Sequence, residues 1–138
     1  MTIEEAVWQV LTGDAAVRDL AGDRVYPLGA EQGVDLPYLV YERASQRWLR
    51  SLTRRVNLSA YSMHLEAWAD SPAAARRLYD AAFDALVDYR GTLDSGAIDV
   101  RTVLADDSAE SQEPPVLADE RGLFSVSLDV VIHYRKGA

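Results

Sequence analysis

The segment that most constrains the fold lies close to the C-terminus. In residues 124–135, apolar side chains occupy every second position for twelve residues. A period of two is typical of a β-strand with one buried and one exposed face. Such a strand is stable only when other strands pair with it and a second layer covers its apolar face. The chain is therefore expected to build a sheet that is covered on one side.

Four further segments have strand patterns. Apolar residues again fill alternate positions in residues 61–69 and 98–104, and residues 38–41 are apolar on both faces, which indicates a buried strand. A shorter extended piece, residues 25–28, contains Pro27, whose missing N–H restricts it to a sheet edge or a bend. With the segment near the C-terminus, these patterns predict about four to five strands.

Helix start and stop signals divide the rest of the chain. Thr2 opens a capping box with the glutamate three residues on, and Asp14 can cap a second, short helix. Ser71, followed by a proline at the first helical position, starts a longer helix that Gly91 ends. We therefore predict a single α+β domain over residues 1–138. Its mainly antiparallel sheet of about four to five strands is packed by one long helix and short N-terminal helices.

Composition excludes several classes of function. The 14 basic and 22 acidic residues give a net charge of −8, which is unfavourable for general binding to nucleic acid. Without cysteine there is no thiol catalysis, disulfide or cysteine-ligated zinc. No uncharged stretch approaches the roughly 20 apolar residues that span a membrane, and the chain has no glycine-rich phosphate loop or serine nucleophile elbow. We therefore predict no enzymatic activity, no cofactor, no metal and no membrane partner.

The two histidines are the remaining candidates for chemistry. His64 and His133 both lie in the polar phase of predicted strands, so solvated side chains on a sheet face are the simpler interpretation. A two-histidine zinc or nickel site between adjacent strands is an alternative, since cross-strand neighbours approach within about 5 Å. A small acid/base enzyme that pairs a histidine with a carboxylate is another, and it would require a pocket with convergent carboxylates.

Charge is concentrated in two segments of opposite sign. Residues 43–55 contain five arginines and no acid, whereas residues 105–121 contain six acids and one arginine. The arginine spacing fits one face of a helix, but the segment could equally be the long, mobile arm of a β-hairpin. Residues 108–115 are predicted to be a polar acidic loop. The two segments are either solvated loops or complementary surfaces on copies of the chain.

Trp48 favours the second interpretation. It lies among the arginines in a predicted exposed segment, and Trp and Arg are the residues most enriched at interface hot spots. The residues predicted to form a subunit or ring interface are Arg43, Arg47, Trp48, Arg50, Arg54, Arg55, Asp106, Asp107, Glu110 and Glu113.

Several motifs occur in a characteristic order. They are residues 22–27 (GDRVYP), 36–41 (LPYLVY), 66–69 (EAWA) with an alanine-rich helix after it, and 127–135 (SLDVVIHYR). In this order and spacing they resemble the tail-completion, or tail-terminator, proteins of long-tailed bacteriophages and their prophage relatives. The resemblance covers most of the chain and departs from the pattern in the two charged segments.

The resemblance implies a structural virion protein without catalytic residues. Such a protein caps the head-proximal end of the tail tube as a ring, usually of six copies, ends tube polymerisation and joins the tail to the head connector. The implied partners are further copies of the chain, the tail tube protein and the head–tail connector protein, with DNA only passing through the lumen. The implied location is the head-proximal end of the virion tail, after synthesis in the host bacterial cytoplasm.

Other functions stay open on the sequence alone. A head–tail connector or a minor tail protein on a related fold is the alternative within the virion. A cellular ligand-binding dimer is the alternative from another class, beside the small enzyme considered above.

Overall fold

The computed structural model describes residues 2–27, 35–50, 55–93, 96–113 and 123–136 of the chain. Within these ranges the protein forms three helices and six strands. In chain order they are α1 (Ile3–Gly13), α2 (Ala15–Ala21), β1 (Val25–Pro27), β2 (Tyr38–Arg50), β3 (Arg55–Ala69), α3 (Pro72–Leu86), β4 (Gly91–Leu93), β5 (Ile98–Glu113) and β6 (Leu123–Lys136).

The six strands form one sheet in the order β1-β2-β3-β6-β5-β4. Only β1 is parallel to its neighbour, so the predicted α+β class and the mainly antiparallel sheet are confirmed. The sheet has six strands, so the predicted count of four to five is too low. The strand that the sequence does not predict is β4, whose three residues are too few to show a period of two. At the centre, β3 and β6 pair from Leu58 opposite Arg135 to Ala69 opposite Phe124.

Each helix begins where its capping residue predicts. Thr2 and Glu5 form the reciprocal capping box at α1, Asp14 accepts from the amide of Val17 at α2, and Ser71 accepts from that of Ala74 at α3. None of the described helices is long and apolar enough to cross a membrane.

The long helix α3 is shorter than the sequence predicts. It ends at Leu86 rather than continuing to Gly91. Asp88 has a positive φ of 66°, and its backbone N–H donates to the carbonyl of Val103 in β5 at 2.9 Å. The chain therefore leaves the helix to pair with the sheet, and Tyr89 packs against the core from the turn that follows.

All three helices lie on one side of the sheet. The buried residues of α3, among them Leu78 and Ala82, pack against the alternate residues of β3 and β6 that point to the same side, such as Met63 and Leu128. Fully burying a leucine contributes about 1.5–3 kcal/mol. This covered face therefore holds the core, whereas the uncovered face carries the other set of strand residues.

Two of the sequence motifs meet beside the core. β1 comes from the GDRVYP segment and pairs with residues 39–41 of the LPYLVY segment. The Arg24 side chain donates to the carbonyl of Pro37 at 3.0 Å, and the amide of Leu39 donates to the carbonyl of Arg24 at 3.0 Å. Both motifs therefore stabilise the fold at the β1 edge, as their residue types suggest.

Candidate assembly surfaces

The arginine-rich segment is a β-hairpin arm. β2 runs to Arg50 and β3 begins at Arg55, and these two residues are register partners at the end of the arm. The helical alternative is therefore wrong. Alternation along β2 turns the exposed Arg43 to the covered side of the sheet and the exposed Arg47 to the uncovered side. Arg54 lies outside the described residues.

Pairing with the rest of the sheet explains why this segment is extended. In an extended strand, alternate side chains point to the same face of the sheet and can contact side chains of β3 or β6. The side-chain amide of Gln46 donates in this way to the hydroxyl of Tyr134 at 2.7 Å. Trp48, farther along the arm, keeps 57% of its surface exposed. The predicted exposure of this tryptophan is confirmed, although it lies on a strand.

The acidic segment is also a strand for much of its length. β5 continues to Glu113, paired with β6 up to Leu123, so the predicted loop at 108–115 is wrong for residues 108–113. Both faces of β5 are exposed from residue 104 to 110. The sequence there therefore lacks the alternation of apolar and polar residues that marks a strand with one buried face. Backbone pairing with β6 supplies the order instead. Residues 114–122 lie outside the described part of the chain.

The acidic side chains have few local partners. Asp106, Asp107 and Glu110 are all exposed. Of these three, Glu110 alone forms an ion pair with another described residue, Arg76 of α3, at 3.5 Å. Both members of that pair are well exposed, and such pairs contribute little to stability. The charge of this segment therefore remains available to an external partner.

The register places the two charged segments far apart. Across the sheet, Glu42 lies level with His64, Asp129 and Asp107 in turn. From that level, the arginine arm extends towards one end of the strands, and the acidic part of β5 extends towards the other. The two segments also lie towards opposite edges of the sheet, because β2 is next to β3 and β5 is next to β6. The described parts of the two segments, residues 43–50 and 105–113, therefore do not meet within one subunit.

A histidine and two carboxylates are joined on the uncovered face. His64 Nδ1 lies 2.6 Å from Asp129 Oδ1 and its Nε2 lies 2.9 Å from Glu66 Oε1, while the indole of Trp68 donates to Glu66 at 2.7 Å. Burial alone would lower the pKa of His64, but the hydrogen bonds and charges of Asp129 and Glu66 outweigh it and raise the pKa above its ordinary value. Glu42 and Asp107 flank this cluster, so the middle of the uncovered face is acidic.

The register does not match the predicted two-histidine metal site between adjacent strands. His64 is opposite Asp129 whereas His133 is opposite Ala60, so the two imidazoles do not form a cross-strand pair. In the described ranges no cluster of three or more histidine, aspartate or glutamate side chains could hold a metal ion. The His64 cluster also lies on a sheet face, not in the cleft described next.

An arginine cleft lies beyond the cluster, towards the end of the arginine arm. This open cleft of about 710 Å³ is lined by Arg90, Arg101 and Arg135 with Asp99 and Leu58. Arg101 pairs with Asp99 at 3.0 Å, so two arginines remain in excess. The sequence could not predict this grouping, because its members are spread over 78 residues and only the strand register brings them together.

Exposed apolar side chains mark further surface that the sequence analysis missed. Trp8 on α1 is 40% exposed and Leu104 on β5 is 48% exposed. A signal for Trp8 was present, since it falls outside the apolar stripe that Ile3, Val7 and Leu11 form on the same helix.

The basic hairpin arm and the acidic part of β5 lie at opposite edges of the sheet and are complementary in charge, as contacts between copies of one chain require. A family-model comparison makes that class specific. Residues 5–134 match the family "Tail completion protein gp17", so the chain belongs to this family. It is a structural phage tail protein and a component associated with the virion.

Comparison with solved structures gives the same fold. A chain of the structure titled "Virion of native gene transfer agent (GTA) particle" superposes with a TM-score of 0.65 over 95% of this chain and 92% of its own length, at 19% sequence identity. No curated protein matches the chain.

Proposed function

We propose that this protein caps the head-proximal end of the phage tail tube as a ring, ends tube polymerisation and joins the tail to the head connector. Six copies per ring is the expected number. Family membership supports a role in completing the tail. The observation that carries the ring is the opposite charge of the arginine arm and of the acidic part of β5, which lie towards opposite edges of the sheet.

This charge placement favours a head-to-tail contact. A contact between two different surfaces of the same protein either closes into a ring or grows into a filament. The arginine arm of one copy would face the acidic part of β5 in the next, so every subunit would use both surfaces. Arg43, Arg47, Trp48, Arg50, Arg54 and Arg55 would form one side of the contact, and Asp106, Asp107, Glu110 and Glu113 the other.

The middle of the uncovered face suits the lumen of such a ring. Glu42, Glu66, Asp107 and Asp129 lie on it, and carboxylates repel the phosphates of passing DNA. We therefore expect no retention of duplex DNA in a gel-shift assay at physiological salt. A stable shifted complex would contradict this part of the proposal.

Catalysis has no part in this role. Capping and joining need complementary surfaces, and the tail tube protein and the head–tail connector protein would each meet one rim of the ring. The exposed Trp8 on α1 lies outside the contact between copies and suits one of these contacts.

Deleting the gene from its phage tests the function directly. Without a cap, tubes should lose their uniform length and fail to join heads, as measured by electron microscopy of lysates. Tails of normal length that stay separate from heads would indicate a head–tail connector instead. Tails of normal length joined to heads would refute the proposal.

A charge-reversed arm refines the same experiment. Complementation with R43E/R47E should fail to restore uniform joined tails, whereas R77E should succeed, because Arg77 is exposed on α3 and belongs to neither arm. Circular dichroism of both purified variants checks that they fold. Equal rescue by both would remove the arginine arm from the interface.

A further inference from the structure

At each of the two lateral edges of the sheet, a long stretch of strand has no partner among the described residues. β1 pairs only with residues 39–41 of β2, so the outer edge of residues 42–50 has no strand partner within the part of the chain that the structure describes. β4 pairs only with residues 98–100 of β5, and the amide of Asp88 reaches the carbonyl of Val103. Beyond that point the outer edge of residues 104–113 is open among the described strands. An open strand edge is a template for pairing with another chain.

The two edges match in length and differ in charge. They contain nine and ten residues, and their net charges are +2 and −4. Each also carries a large exposed apolar side chain, Trp48 on β2 and Leu104 on β5. Two copies of the same edge would bring like charges together, which is unfavourable across a strand pair. Two different edges would bring opposite charges together.

We propose that neighbouring subunits pair through the open edge of β2 in one copy and the open edge of β5 in the next, so that one β-sheet continues around the ring. The inference rests on the proposed ring and names the contact that closes it. β2 and β5 run in opposite directions within the sheet, so the pairing between copies is antiparallel and continues the alternation of β2, β3, β6 and β5.

The pairing requires a stagger along the strands. The middle of the β2 edge, Gln46, lies level with Val103, whereas the middle of the β5 edge lies between Ser108 and Ala109. Counted along β6, where these levels are Ile132 and the midpoint of Ser127 and Leu128, the stagger is about 4.5 residues, or about 15 Å at 3.4 Å per residue. Four full strands per copy span about 19 Å across the sheet at 4.8 Å each. The two lengths give a strand tilt of about 40°, which is within the range of closed β-barrels.

Engineered cysteines test the contact, because the chain has none of its own. Ser45 and Ala109 are exposed, lie on the uncovered face of the two edges, and differ in level by about the required stagger. Under mild oxidation in the presence of tail tubes, S45C/A109C should give a ladder of covalent oligomers that ends at the ring. S45C and A109C alone should stay uncrosslinked, since each edge meets only the other kind.

Charge-swapped variants give a second, independent test. R43E/R47E has two acidic edges and D106R/D107R/E110R has two basic edges, so each alone should fail to assemble. An equimolar mixture should form rings in which the two variants alternate, as seen by native mass spectrometry. The control mixture of R43E/R47E with R77E/D80R, which changes α3 only, should not form alternating rings.

The outcomes separate this inference from the proposed function. If S45C/A109C caps tubes but gives no ladder of covalent oligomers, the edge pairing is wrong and the proposed capping role is unaffected. Covalent dimers from either single variant would show that like edges pair, and would also overturn it. Protein that stays monomeric and ignores tubes would overturn both.

Discussion

Replacing Leu128 with alanine tests which side of the sheet holds the core. Leu128 is at the middle of β6, is 1% exposed and belongs to the buried cluster beneath α3. Val131 is on the same strand, but it points to the uncovered face and is only half-buried. The two substitutions shorten neighbouring apolar side chains of one strand and differ mainly in the face they affect.

The expected cost for Leu128 follows from its burial. Replacement of a buried leucine by alanine costs about 2–5 kcal/mol, of which the transfer of the lost groups and the cavity left behind are both parts. We expect about 3 kcal/mol for L128A, because α3 closes over the site and limits collapse. For 138 residues the entropy of unfolding is about 0.29 kcal/mol/K, so the melting temperature should fall by about 10 °C.

Urea unfolding followed by circular dichroism measures the difference. V131A should cost about 1 kcal/mol or less, since its side chain is not enclosed. Both variants are compared at one protein concentration, because assembly stabilises the folded state. Equal losses of unfolding free energy in the two variants would refute the assignment of the core to the face that α3 covers.

Three further changes test local features. His64 has a raised pKa in the folded protein, so its stabilising contribution is complete below its unfolded pKa and is lost as the pH rises through the folded value. The difference in unfolding free energy between wild type and H64Q should therefore fall as the pH rises above about 6.5, and a flat difference would exclude the charged cluster. S71A removes the cap of α3 and should cost about 1 kcal/mol in urea unfolding, with a cost near zero contradicting the cap. Gly22 has φ 60° and ψ −128°, so G22A should cost about 1–3 kcal/mol through backbone strain, and a stabilised variant would show that the turn relaxes.

The elements that the sequence predicts best are those whose signals are local. The caps at Thr2, Asp14 and Ser71 are read from the residues that make the hydrogen bonds. The alternation in β3 and β6 is visible because each has one buried face. Local chemistry therefore predicts where these elements begin and which of their faces is buried.

The elements that the sequence predicts poorly depend on distant partners. The end of α3 is set by a hydrogen bond from Asp88 to β5. Residues 104–110 of β5 have no buried face, so their strand structure comes from pairing with β6. The arginine arm is extended because β3 pairs with it, although its arginine spacing suits a helix equally well. Neither the caps nor the alternation encodes such pairing.

The candidate surfaces divide in the same way. Composition alone identifies the charged segments and the isolated Trp48, since both are contiguous in the chain. Their placement on opposite edges of the sheet, the joining of His64 to Asp129, and the arginine cleft all require the register of β3, β5 and β6. Fold and family are therefore more accessible from this sequence than the geometry of assembly.

Electron microscopy of the purified protein mixed with assembled tail tubes, with mass photometry of the protein alone, tests the proposed cap most directly. We expect a ring at one end of each tube and a single oligomer mass that gives the copy number. Monomers or dimers that leave both ends of the tubes uncovered would contradict the capping role.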